Sequence, residues 1–568
     1  MPVTTSYPGI YIQELPSSSH SIPAAPTNIA VFIGYTHPLK TQPANWGNPY
    51  QIFGFNDYQR QFGGFLRSAA FAAASNAYAT HPPLDPNTAF GDMAMAVNQF
   101  FLNGGTEAYV VGIQSRPPIT GASVPIGPLL FTATEITDEK FSMQITVRPV
   151  GSGGSSGMTS PPITSPPMDD IVDIIISYGP ATSYGPANGP ATVTETYRRV
   201  SIEETEPDGT TPNPDYVVSR LSNSQLVNVA FVSPSEPFPA TPQTEIFGVA
   251  LPAGAPIFEA SDFTAVMQPD SGLDKLSIFN LMVIPGVTNS VVLSTALAFC
   301  ERKLAFLIMD PPITASADGT NPSFRIRIQD VMNGNDRTIP TPPEGANSAL
   351  YFPYLKSADP LTGLPNNSVT GQVNEIAPAA TVAGVYAATD LTRDVWKAPA
   401  GFQATTTNTT GVVDRGRMTD LRQGTLNPLG VNCLRDFPNV GTVVFGARTL
   451  VTVTDEQWRY VPVRRMALFI EQSLSAALTW VVFEPNADPL WAAITASVNA
   501  FMLGLFRQGA FQGTTPTKAF SVQCNSQTTT QTDIDQGIVN IVVAFAPLKP
   551  AEFVIITIAQ LAGQAQTG

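Results

Sequence analysis

Apolar positions along this chain fall into two rhythms, unbroken runs of strand length and stripes of helical spacing, and their alternation predicts a layered fold. Ile29 to Gly34 is an unbroken run that predicts a buried strand. Met93 to Leu102 has helical spacing and is closed by Asn103-Gly104-Gly105, a stop of the left-handed kind. Ala108 to Ile113 predicts a second buried strand. The order recurs as a strand over Leu276 to Ile284, a helix over Val291 to Arg302 and a strand over Leu304 to Met309, ended by Asp310-Pro311-Pro312. Strands that are apolar at every position and alternate with helices predict a mainly parallel sheet covered on both faces.

Other stretches follow different patterns. Residues 1–27 carry Pro8, Pro16, Pro23 and Pro26 with Ser17, Ser18 and Ser19, which predicts an extended arm. Within it Ile10, Tyr11, Ile12 and Leu15 form one β-prone run that needs a sheet edge to pair with. Residues 119–270 hold a Gly/Ser linker from Gly151 to Gly157, the repeat SYGPATSYGPANGPA from Ser177, and short strands at Phe141 to Val147 and Leu226 to Val232. They predict an inserted β-rich outer domain with flexible loops, which splits an α/β core into 28–118 and 271–425. Residues 426–548 read as a compact α+β domain: a strand at Thr442 to Phe445, a helix at Val463 to Leu478, an apolar run at Trp480 to Phe483, and a second helix. That helix starts at an Asp488 N-cap with Pro489 as its first residue, and Arg507 and Gly509 close it. Two final β runs, Ile538 to Phe545 and Phe553 to Ile558, are separated by Ala546-Pro-Leu-Lys-Pro-Ala-Glu552, too long and Pro-rich for a tight hairpin, so 549–568 reads as a second strand-bearing arm. The fold class is therefore α/β plus α+β, multidomain, with extended terminal arms.

Composition narrows the function. Charged residues are only 13% of the 568, against about 25% in a typical domain, which predicts a surface covered by neighbours. A net charge of -15 offers no basic field for phosphates and argues against direct nucleic-acid binding. Cys300, Cys433 and Cys524 are widely spaced and read as buried hydrophobes, and His20, His37 and His81 as loop residues, so no metal site and no cofactor is expected. Gly513-Thr-Thr-Pro-Thr-Lys518 lacks the second glycine and hydroxyl of a phosphate cradle. Asp310 and Asp274, with Glu301 and Arg302, are the carboxylates and partners an enzyme could use, but nothing aligns them with a nucleophile, and no enzyme activity is expected. Asp533-x-Asp535-x-Gly537 reads as a turn, since it lacks the distal Glu of a calcium loop. The uncharged stretch Leu490 to Phe506 puts Leu490, Trp491, Ile494, Val498, Phe501, Met502 and Leu505 on one stripe, which predicts a packed helix and no transmembrane segment. The first residues lack a basic region followed by an apolar one, which predicts assembly in the cytoplasm without a signal peptide.

A β-prone strand on an extended arm at each end lets each arm complete a sheet in a neighbouring subunit. At this point the residues carry a resemblance. The opening TSYPGIYIQELPSSSHSIPAAPTNIAVFIGYT, then FFLNGGTEAYVVGI, GVYAATDLTRDVWKAPAG, LNPLGVNCLRDFPNVGTVVFGARTL, YVPVRRMALFIEQSLSAALTWVVFEPNADPLW and TQTDIDQGIVNIVVAFAPLKPAEFVIITIAQ resemble contractile tail sheath proteins in the family's order. Such proteins belong to phages with contractile tails and to phage-tail-like contractile injection systems. The segment from about 120 to 270 carries no such match, as the family's variable outer decoration would predict.

The resemblance implies a structural sheath subunit that forms a homo-oligomer of stacked hexameric rings around an inner tube protein, with baseplate and cap proteins as further partners. It implies that contraction repacks the folded bodies while the terminal strands keep the lattice connected. Ile10, Tyr11, Ile12 and Leu15, with Phe553, Val554, Ile555, Ile556 and Ile558, are then the intersubunit strand residues. The helix from Pro489 to Arg507 would lie against the inner tube with Arg507 as a polar contact, an ordinary core helix being the alternative. The rival to the whole reading is a noncontractile surface or baseplate-associated adhesive protein.

Overall fold

The strand Ala30–Tyr35 buries all six residues and sorts them by parity: Val31, Ile33 and Tyr35 enter one hydrophobic core, Ala30 and Phe32 the other. That is the period-2 geometry of a strand covered on both faces. In this computed structural model the described residues are 20–65, 92–114, 118, 120–135, 137, 141–150, 171–180, 193–206, 208–232, 237–247, 259–311, 345–358, 373–412, 418–451 and 453–556. The same parity runs through Leu281–Val283 and Phe306–Met309, where Met282, Leu307 and Met309 join the first core and Leu281, Val283, Phe306 and Ile308 the second. Each such side chain contributes about 1.5–3 kcal/mol on burial.

These strands lie in an eight-stranded sheet, ordered Gly441–Val444, Val431–Phe437, Ser348–Phe352, Phe306–Met309, Leu281–Val283, Ala30–Tyr35, Ala108–Ile113 and Pro49–Ile52. The six inner strands are parallel, in register Ala30↔Leu281 and Ala30↔Ala108 at the centre, and the two edge strands are antiparallel. Helix Ser290–Arg302 covers the first face, with Asn289 capping it by accepting from the N–H groups of Val291 and Val292. Helices Asp92–Leu102 and Ala379–Arg393 cover the second. They pack closely at two glycines: a Cβ on Gly384 would lie 2.6 Å from the Phe100 carbonyl oxygen, and one on Gly104, at φ +111, 2.6 Å from the Ala388 Cβ.

Two expectations are corrected here. The strand predicted over Leu276 to Ile284 is only Leu281–Val283, because the residues before it turn around Asp274, which is held by Arg302 and the Asp270 N–H. The sheet also continues past residue 426, since Val431–Phe437 pairs parallel with Ser348–Phe352. Local periodicity carries no information about that pairing.

Between the halves of the core lies a β unit with a hydrophobic core of its own. One sheet is Gln243–Phe247, Phe141–Pro149, Ile171–Pro180 and Val193–Ser201, the other Ser123–Ile126, Leu129–Ala133 and Val227–Phe231, and alternate residues of both, such as Phe131, Ile145, Ile174 and Ile176, face each other.

The C-terminal unit is built on helices Val461–Ala477 and Asp488–Arg507. The first is shared: Val461 and Leu468 enter the sheet's second core, while Met466, Phe469 and Ile470 enter a separate C-terminal core. Beside them stands the two-stranded antiparallel sheet Phe520–Gln523 with Val542–Phe545. The strand predicted from Ile538 shortens to these four residues, and the run at Trp480 becomes the helical turn Thr479–Val481. The Asp533 motif is a capped helical turn: Thr530 and Asp533 bond each other's backbone N–H groups, and Gly537 follows at φ +75.

Candidate assembly surface

The helix Asp488–Arg507 is about 30 Å long and uncharged between its ends. By length and composition it could cross a membrane, with a mean hydropathy of 1.5. Leu490, Trp491, Ile494, Val498, Met502 and Leu505 are instead buried against Met466, Phe469 and Ile470, the stripe its spacing predicted. Its N-cap is Ala487, with Asp488 already helical and no side-chain cap, one residue earlier than expected. The opposite side exposes Ala492, Ala496 and Ala500 and ends in Arg507, also exposed and in no ion pair among the described residues. A cation in the last turn also suits the helix dipole.

The expected N-terminal strand residues Ile10, Tyr11, Ile12 and Leu15 lie outside the described residues, but the root of that arm, from His20 on, lies within them. His20 stacks on Trp480 at 4.0 Å, Ile22 and Ala25 pack on the C-terminal core, and the Ala25 N–H donates to Ser473 Oγ at 3.0 Å. Arg465 finishes the attachment. Its guanidinium donates to the Thr27 carbonyl at 2.9 Å and to both oxygens of Asp390 at 2.9 and 2.6 Å, and lies over the Tyr386 ring. The Arg465 and Asp390 side chains are 3% and 2% exposed. Burial pushes the Asp390 carboxyl up and Arg465 opposes it.

The root of the C-terminal arm is fixed by another ion pair. Arg448 Nε donates to Glu552 Oε1 at 2.9 Å and Nη2 to Oε2 at 2.5 Å, Tyr460 Oη donates to Oε2 at 3.4 Å, and Arg448 Nη1 donates to the Asn427 carbonyl at 3.1 Å. Immediately beyond Glu552 the chain changes character. Phe553, Val554, Ile555 and Ile556 are 74%, 82%, 89% and 79% exposed and pair with no strand among the described residues. Four consecutive bare β-prone side chains on an anchored root are unusual for a finished surface. Ile558 lies outside the described residues.

Two hollows flank these roots. One, of about 1090 Å³, is bordered by Phe445, Lys397 and the arm root from Leu548 to Phe553; the other, of about 620 Å³, by Ser21, Ile22, the stretch from Ala24 to Asn28, Ala500 and Gly504. Asp394, Trp396 and Gln508 border both, so the two arms leave the body beside one shared wall.

The carboxylates an enzyme could have used have structural partners. Buried Asp310 accepts from the N–H groups of Gly286 and Ala379 at 2.9 and 2.7 Å and so ties a turn and the start of the helix Ala379–Arg393 to a strand end. Asp274 pairs with Arg302 at 2.9 Å, and the chain does not bring it together with Asp310 in one pocket among the hollows described. Cys300, Cys433 and Cys524 are free and buried. Sequence reading missed Arg448, Arg465, Asp390 and Glu552, whose only signal was a charge set within apolar stretches of a charge-poor chain.

Residues 453–560 match the family model described as the phage tail sheath C-terminal domain. The C-terminal unit is that of the contractile tail sheath family. Along the rest of the chain the sheath fold is carried by solved structures. The sheath complex of an extracellular contractile injection system, PVC, in its contracted state is 20% identical with a TM-score of 0.54, over 98% of this chain and 99% of that one. The helical sheath of the anti-feeding prophage in its contracted state is 20% identical with a TM-score of 0.52, over 98% and 100%. A chain of the 6-fold symmetrised baseplate of the same prophage is 21% identical with a TM-score of 0.51, over 98% and 99%. No curated protein matches this chain. Both arm roots are therefore anchored on or beside a sheath C-terminal domain.

Proposed function

We propose that this chain is the sheath subunit of a contractile tail or contractile injection particle, stacked as hexameric rings around an inner tube and linked by exchange of terminal strands. The observation that carries the reading is the exposed Phe553–Ile556 segment on its Arg448–Glu552 root, beside a sheath C-terminal domain whose own sheet has two strands only among the described residues. A two-stranded sheet is marginal alone, and both Phe520–Gln523 and Val542–Phe545 leave an edge open. Arms from neighbouring copies would complete it by main-chain hydrogen bonds, with the arm roots already anchored so that less entropy is lost on docking.

Two of the similar structures are sheaths in a contracted state, which supports a chain able to occupy an extended lattice and a contracted one. In that scheme the folded bodies repack while the exchanged strands hold, and small interface gains per subunit add up to drive the tube through a target envelope. The Ala492, Ala496 and Ala500 face with Arg507 is the tube-facing surface in this reading, and baseplate and cap proteins bind the ends of the cylinder. Deleting residues 1–20 tests it: long cylinders are lost by electron microscopy while the truncated body stays folded and soluble, and normal cylinders from the truncated chain would refute arm exchange.

A further inference from the structure

Among the described residues, one ion-pair cluster joins the inserted β unit to the α/β core. Glu135, two residues past the strand Leu129–Ala133, meets Lys40 and His37 in the loop after Ala30–Tyr35. Lys40 Nζ donates to Glu135 Oε1 at 2.5 Å, and the Glu135 side chain is 6% exposed. His37, 1% exposed, places Nε2 3.5 Å from Glu135 Oε2, too far for a good hydrogen bond, and that nitrogen has no other partner.

The other ring nitrogen settles the protonation state. His37 Nδ1 accepts from the backbone N–H groups of Leu39 and Lys40, both at 3.2 Å, so it carries no proton and the ring is neutral with Nε2–H towards Glu135. A proton added at Nδ1 would face two N–H donors. Gly63, at φ +89, packs its backbone against the base of this side chain, so close that a Cβ there would lie 2.6 Å from His37 Cβ. The same turn carries Lys40 and is closed by the Thr41 N–H on the His37 carbonyl at 3.1 Å. The charged groups facing His37 are Lys40 from its own loop and Glu135 from the insert. The adjacent helix Phe55–Phe62 offers Asp57 and Arg60, which pair with each other near the surface. Burial pushes the His37 imidazole down against the pull of Glu135.

We propose that this joint is a proton-operated latch. Protonation of His37 in mildly acidic solution opens the 37–41 turn, withdraws Lys40 from Glu135 and releases the inserted β unit from the core while both remain folded. Their hydrophobic cores are separate, so release does not require either to unfold.

Hydrogen–deuterium exchange of the full chain tests this. Opening that takes up one proton should speed exchange at residues 39–41, corrected for intrinsic rates, by up to about tenfold per pH unit below about 6.5, while Thr134, whose N–H donates to the Leu226 carbonyl inside the insert, should stay protected. Strands Ala30–Tyr35 and Ile171–Pro180 should stay protected throughout. In His37→Asn the amide oxygen can accept the same two N–H groups without titrating, and the pH dependence at the joint should vanish. In Glu135→Gln the joint should exchange at pH 7 as fast as the parent does in acid. A parent joint with no pH dependence overturns the latch, as does an unchanged slope in His37→Asn, full protection in Glu135→Gln at pH 7, or loss of protection in both strands at the same pH as the joint.

Discussion

Glu552→Gln separates the anchoring of the C-terminal arm from the stability of the body that carries it. The change removes the charge that receives three hydrogen bonds from Arg448, at 2.9, 3.2 and 2.5 Å. Breaking a fully buried pair costs about 3–5 kcal/mol and an exposed one about 0–1 kcal/mol. With side chains 10% and 16% exposed, and the Asn427 carbonyl still accepting from Arg448, this pair falls between those limits, at about 1.5 kcal/mol. If the arm root is ordered only through this pair, fixing it again on docking adds about 1–2 kcal/mol for each backbone residue set free. Since about 1.4 kcal/mol is a factor of ten, the critical concentration for cylinder growth should rise between about tenfold and a hundredfold. Sedimentation of assembled from unassembled chain across a dilution series measures it, with thermal melting of the unassembled chain as control. The reasoning requires a melt within a few degrees of the parent. A critical concentration unchanged within about twofold, with the melt also unchanged, would refute a role for this anchor in assembly.

The buried pair of the N-terminal root should behave differently. Arg465→Met leaves Asp390 charged and unpaired and should destabilise the body by about 3–5 kcal/mol in urea unfolding, while Asp390→Leu with Arg465→Met should recover most of that loss; a double variant as unstable as the single one would contradict this. Acid stability carries a signature of Glu135. Burial opposes its ionisation, but His37 and Lys40 more than offset this and hold the carboxyl at about 2, against an ordinary 4.5. A depressed carboxyl stabilises the fold above its unfolded pKa only while the joint is closed, so in His37→Asn, whose joint does not open in acid, this stability should be present above pH 4.5 and lost as pH falls towards 2. In urea titrations between pH 5 and 2, adding Glu135→Gln to His37→Asn should remove that loss, and an unchanged pH profile would count against it.

Local periodicity made the central elements legible. Ala108–Ile113 was bounded by its apolar run, and the buried stripe of Asp488–Arg507 by its spacing, because each depends on neighbours within a few turns. What stayed hidden depends on residues far apart in the chain. Arg448 and Glu552 are separated by 104 positions, Lys40 and Glu135 by 95, and Arg465 and Asp390 by 75, and only the folded topology brings them together. The placement of Val431–Phe437 in the core sheet has the same origin. The structural role of Asp310 stayed hidden for a related reason, since the N–H groups it accepts from belong to Gly286 and to Ala379, the latter 69 positions away. At the C-terminal arm, apolar β-prone residues predicted a strand over Phe553 to Ile558, and the structure shows Phe553–Ile556 bare and paired with no strand among the described residues. No strand forms there among the described residues, and the proposal supplies its partner from a neighbouring copy.

The most direct test of self-assembly through the terminal arms is electron microscopy of the purified full-length chain over a concentration series, alone and with the inner tube protein. The account predicts hollow, ridged cylinders of constant width, with the strands at Phe553–Ile556 crossing between subunits in their lattice. Particles that stay small and monodisperse at every concentration, with the tube protein present as well, would contradict it and favour a noncontractile adhesive or baseplate-associated protein.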